Sequence, residues 1–143
     1  MILYAGSDRE MMMELVRHLS SLERNGLIQI WHGRMIGAGE VWEEEIRRRL
    51  DTVDIFLLLV SNDFLASQYI NDVELRAAME RQKAGEVRVI PVILRDCFWQ
   101  IEEFARLQAL PDYGLPVAGW PNRDEAYTNI VKGFHKVLQV TGE

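Results

Sequence analysis

The chain has 143 residues, 16 Lys and Arg against 22 Asp and Glu for a net charge of −6, 48% apolar residues and one cysteine, Cys97. That length suits a single domain over residues 1–143, with a core large enough to need no staples, and the lone cysteine excludes a disulfide framework or a cysteine-based zinc site. The acidic balance argues against nucleic acid, whose phosphates call for clustered Lys and Arg, and no apolar run nears the roughly 20 residues that span a bilayer.

The Met1 end enters an apolar run at once, without the basic segment of a signal peptide. A soluble, cytoplasmic protein that binds neither membrane nor nucleic acid is expected.

In chain order, five short apolar runs read as strands: Ile2 to Ala5, Leu27 to Trp31, Asp54 to Val60, Val87 to Leu94 and Leu115 to Ala118. The third and fourth are almost continuously apolar, as strands buried on both faces of a parallel sheet are. Helical spacing separates them. Met12, Leu15, Val16, Leu19 and Leu22 stripe a first helix, with Ser7-Asp8-Arg9-Glu10 as a capping box and Asn25-Gly26 at its close. Trp42, Ile46 and Leu50 stripe a second, with acids early and arginines late, as the helix dipole prefers. A third runs from about Asn71 to Ala84 and a fourth from about Asp124 to Gln139, while Asp96 to Gly114 is mixed. Such alternation predicts right-handed crossovers. The expected fold is α/β: a flavodoxin-like, doubly wound, five-stranded parallel sheet of order 2-1-3-4-5 with helices on both faces.

In sheets of this kind ligands bind beyond the carboxyl ends of the strands. Two segments stand out there. His32 to Glu40 carries three glycines, yet matches neither GxGxxG nor GxxxxGK[ST]; it reads as a flexible loop with glycines at positive φ, and Arg34 at its centre either meets a phosphate or is solvated. Glu74 has two readings: Asn71-Asp72-Val73-Glu74 fits an N-x-x-E capping box, and a carboxylate at that helix start also faces the crevice. His18, His32 and His135 lie on different elements without metal spacing, so no metal site is expected. Cys97 has no adjacent base and reads as structural. Trp99 and Trp120 read as satellite-core residues, and Met11, Met12 and Met13 as helix packing and surface.

Across nearly its whole length the chain resembles a TIR (Toll/interleukin-1 receptor) domain of the bacterial type. Leu27 to Arg34 resembles that family's second strand and the start of its BB loop, and Gly37-Ala38-Gly39-Glu40-Val41-Trp42 the loop's end and next helix. Asp54 to Ser67 resembles the third strand and its exit, Arg88 to Arg95 the fourth strand, and Leu107 to Pro111 and Trp120 to Ala126 the late segments. Two departures stand out: Ile70 occupies a place where Cys or Trp is common, and the first strand exits as Leu3-Tyr4-Ala5-Gly6-Ser7-Asp8 where the family favours Ser-Tyr-Ser.

The resemblance implies an NAD+ nucleosidase or cyclase that splits the nicotinamide–ribose bond, NAD+ being substrate and no cofactor being required. It implies activation by TIR–TIR self-association in bacterial immune, anti-phage signalling, with a fused or separate sensor domain as a further partner. Glu74 takes the place of the family's essential glutamate. Ala5, Gly6, Ser7, Arg34, Trp42, Phe64 and Tyr69 become substrate-binding candidates, and His32, Gly33, Met35, Ile36, Gly37 and Gly39 the self-associating BB loop. Two other readings are open: a non-enzymatic adaptor working through homotypic contacts, and a two-component receiver, for which Asp8 and Asp63 are present but no suitable Lys follows the fifth strand.

Overall fold

Ile55–Val60 forms the central strand, β2, of a parallel sheet, flanked by β1 (Ile2–Leu3) and β3 (Arg88–Ile93) in the order β1-β2-β3. The computed structural model describes residues 1–141, with side chains through residue 139; the expected domain end at residues 142 and 143 lies outside them. Leu3 stands opposite Leu58, and Val60 opposite Ile93.

Side chains alternate along β2 and feed two cores. Phe56, Leu58 and Val60 pack with Ile46 and Leu50 of α2 (Trp42–Thr52) and with Ala78 and Met79 of α4 (Arg76–Lys83). Leu57 and Leu59 pack with Met12, Leu15 and Leu19 of α1 (Arg9–Arg24) and with Tyr127, Ile130 and Phe134 of α5 (Arg123–Thr141). A strand buried on both faces has no polar side to spare, which is why IFLLLV is apolar throughout.

Among the described residues the hydrogen-bonded sheet has three strands, not the expected five. Leu27 to Trp31 touches β1 where the Ile2 N–H donates to the Trp31 carbonyl at 3.0 Å, but the Ile30 N–H is taken by the Glu23 carboxylate at 2.8 Å. A side chain there does a ladder's work. Leu115 to Ala118 is not a strand: Pro116 brings no N–H, and Val117–Gly119 closes a 3₁₀ turn. The segment that meets β3 comes earlier, at Leu110, bridged in parallel to Val92, and Pro111 stops it after one residue.

The capping box expected at Ser7 to Glu10 does not form. Gly6–Asp8 is a 3₁₀ turn, and neither Ser7 nor Asp8 caps α1. Ser7 Oγ donates instead to Asp63 Oδ2 at 2.5 Å. Asp8 is buried and accepts the Ser61 hydroxyl and, at 3.2 Å, the Arg95 Nε–H. Three residues that follow β1, β2 and β3 are thus tied beneath the carboxyl ends of the strands.

Ser61 works twice, since its Oγ also accepts the Phe64 N–H at 3.1 Å and caps α3 (Asn62–Ala66). Ser61→Ala removes a helix cap and leaves a buried carboxylate short of a donor. A loss of about 1–2 kcal/mol in urea unfolding is expected; an unchanged midpoint would mean the network carries no stability.

Candidate active site

The exit from α3 sets the position of Glu74. Ser67 Oγ accepts the Ile70 N–H at 3.2 Å, and the Asn71 amide donates to the carbonyls of Phe64, Leu65 and Ser67 at 3.3, 3.1 and 2.7 Å. Asn71 is consumed in closing α3, so the expected N-x-x-E box is absent. The chain then runs as a π-helical stretch, Ile70–Leu75, before tightening into α4. Single π turns inside helices are rare and concentrate at functional sites.

Glu74 sits inside that stretch, 8% exposed, and among the described residues no group hydrogen-bonds its carboxyl. Burial alone pushes its pKa up from 4.5 to about 7. Burial first, then the Glu74 charge, raises Tyr69 to about 12. Burial also raises Tyr4, against the opposing charges of Arg34 and Arg9, with Glu74 the smallest contribution.

Glu74 opens on a cleft of about 540 Å³ at the carboxyl end of β1, a size in the usual range for small-molecule sites. It is lined by Ala5, Gly6 and Ser7 from the β1 exit, by Gly33 and Arg34 from the 3₁₀ turn Gly33–Met35, by Trp42 from the start of α2 and by Tyr69 from just before the π-helical stretch. The two aromatic rings lie 5.5 Å apart at 44°, both about half exposed. Arg34 is the only basic side chain among the described residues lining the cleft.

Other expected site residues lie elsewhere. Phe64 is wholly buried, edge-on to Phe104 at 6.4 Å, because α3 turns its apolar side onto the core; it does not line the cleft. His32 is buried behind the wall, edge-on to Tyr4, with Nδ1 unpartnered and its pKa lowered by burial and by Arg34. The glycine-rich segment is ordered by its own turns. His32 and Gly33 carbonyls accept the Met35 and Ile36 N–H groups, and the Gly37 N–H donates to Glu40 Oε1 at 2.6 Å. Of its three glycines, Gly39 alone has positive φ, at 86°. Met35 is exposed and Ile36 packs on the core.

Three polar side chains that were not substrate-binding candidates also line the cleft: Tyr4, Ser67 and Asp63, the last expected only as an acid of the receiver reading. Their one signal is position, just past strand or helix ends. Cys97 is half-buried, and burial with Asp96 and Asp8 nearby raises its pKa, which suits a structural thiol. Trp99 and Trp120 each pack against a core cluster. Among the described residues no three His, Cys, Asp or Glu side chains gather as a metal site. The receiver reading finds no support: β2 ends at Val60 and is followed by Ser61, not by an acid, and Asp8 is paired with Arg95.

Comparison with known proteins covers most of the chain. "Uncharacterized protein y4lF" of Sinorhizobium fredii (strain NBRC 101917 / NGR234) is 46% identical over 133 residues, 93% of this chain. The match covers 41% of that protein, so this chain spans about two-fifths of its relative's length. No solved structure matches. A family model for the TIR domain matches residues 1–115, from β1 through β3 and the whole of the cleft wall described above. The chain belongs to the TIR-domain family.

Proposed function

We propose that this chain cleaves NAD+ at the nicotinamide–ribose bond, releasing nicotinamide and ADP-ribose or a cyclic isomer. The reading rests chiefly on one observation: a carboxyl group without a protein partner, buried in a π-helical turn, at the edge of an open cleft. Desolvating a carboxyl without bonding it costs stability, and a ligand with positive charge recovers that cost. Membership of a family that includes NADases supports the same reading.

The chemistry needs little else. Nicotinamide in NAD+ is a cation and leaves neutral, so no acid has to protonate it, unlike the leaving group of an ordinary glycoside. Glu74 stabilises the positive charge that develops on the ribose, an interaction stronger in the transition state than in the ground state. Arg34 meets the diphosphate, backbone and hydroxyl groups at Ala5, Gly6 and Ser7 hold ribose, and Trp42 and Tyr69 offer aromatic faces.

TIR domains commonly self-associate, and no helix among the described residues is long and apolar enough to cross a membrane. We take this TIR domain to act in the cytoplasm, in bacterial immune signalling, activated by assembly with like domains through His32 to Gly39. Specific activity should therefore rise with protein concentration, measured as nicotinamide release by chromatography alongside light scattering. A constant specific activity in a species that stays monomeric would overturn assembly control. The second reading, a non-enzymatic adaptor, draws on Met35 within that loop and Val41 just after it, which are 52% and 56% exposed. Concentrated protein that leaves NAD+ intact would favour it.

A further inference from the structure

The cleft contains a second carboxylate, Asp63, which lines it from the first turn of α3. Asp63 is exposed, and its Oδ2 is held by the Ser7 hydroxyl at 2.5 Å across the gap between the β1 exit and α3. Its Oδ1 has no protein partner among the described residues. An ionised carboxylate is an acceptor only. It repels phosphate and rewards a ligand that brings two neighbouring O–H donors. The basic side chain of the cleft, Arg34, comes from a different segment, the 3₁₀ turn Gly33–Met35. We infer that Asp63, positioned by Ser7, is a ribose-binding residue that accepts a vicinal diol, so that the dinucleotide lies with a ribose on Asp63 and its diphosphate toward Arg34.

This deepens the proposed NAD+ reading and rests on it, but adds a residue and an orientation. A carboxylate that takes a ribose diol is a known physical solution to nucleotide recognition, because hydrogen bonds to a charged acceptor are the strong ones. A merely structural Ser7–Asp63 contact between two exposed side chains predicts no effect on ligand affinity. The two roles therefore separate by measurement.

The test uses the Glu74→Gln protein, which holds substrate without consuming it. NAD+ is titrated by calorimetry into Glu74→Gln and into the Glu74→Gln, Asp63→Asn double variant, with an Asp63→Ala version alongside. The expected result is a Kd weaker by about ten-fold or more when Asp63 is replaced, the order of a lost charged hydrogen bond. Ser7→Ala should weaken binding in the same direction and by less. Nicotinamide mononucleotide and ADP carry one ribose each, and the one whose affinity falls identifies the ribose on Asp63. Equal NAD+ affinity with and without Asp63, or no NAD+ binding at all, overturns the inference. Turnover of the parent protein keeps the two claims apart. If the parent does not cleave NAD+ but the affinity loss appears, the enzymatic reading fails and the diol site stands; if the parent cleaves and the affinities match, the diol site fails alone.

Discussion

Glu74→Gln is expected to reduce NAD+ cleavage by roughly a thousand-fold or more while leaving the fold intact. The magnitude follows from electrostatics. A carboxylate about 4 Å from a developing positive charge gains about 4 kcal/mol at an effective dielectric of about 20, close to three factors of ten in rate. Gln keeps the size and polarity and removes the charge. Circular dichroism and unfolding should report a native fold, and chromatography should report intact NAD+. Parent-like turnover by the variant would remove Glu74 from the mechanism. The same carboxyl sets the pH dependence. With its pKa raised to about 7 by burial, the active carboxylate is the minority form below that value. The kcat/KM of the parent, which reports the free enzyme, should rise with pH through about 7 and level off above it. A bound cation lowers the pKa of a neighbouring carboxyl, so the kcat profile should lie to the acid side of the kcat/KM profile.

The two-sided core was readable in the sequence because it is written in runs that no other environment suits. IFLLLV admits only a strand buried on both faces, and the stripe from Met12 to Leu22 only a helix packed along one side. The outer strands were over-read. Leu27 to Trp31 has strand composition, yet Glu23 takes the N–H of Ile30, and apolar content says nothing of where a backbone donor goes. Leu115 to Ala118 failed for a reason present in its letters, since Pro116 removes a ladder donor. Glu74 was found through position and resemblance, and its local setting was not. Asn71 was available to cap a helix; that it turns back to three carbonyls of α3, leaving a π turn behind it, depends on contacts up to seven residues away. Asp63 is visible in the sequence only as an acid after a strand, and its place at the cleft is not, because its partner Ser7 lies 56 residues away.

The stability of Glu74→Gln separates a cap from a functional carboxyl, because the two predict opposite signs. A capping glutamate bonds a backbone N–H, and replacing it costs about 0.5–2 kcal/mol at any pH where it is ionised. The Glu74 carboxyl has no such bond, and its pKa lies near 7 when folded against the ordinary 4.5 when unfolded. Between those values the folded protein holds a proton that the unfolded chain has released, so stability falls as pH rises. The contribution is fully present below about 4.5 and is lost as pH passes through about 7, a loss of about 3 kcal/mol. Gln carries no titrating group and suffers none of it. The variant should therefore match the parent near pH 5 and exceed it at pH 8 by up to about 3 kcal/mol in urea unfolding. A variant less stable than the parent at both pH values would mean that the carboxylate is bonded within the protein, and the claim of a group held ready for a cationic ligand would fail. A gain confined to the higher pH, together with lost turnover, is the signature of a charge desolvated for function at the expense of the fold. The burial that lifts the pKa is then the same burial that makes the charge effective against the ribose.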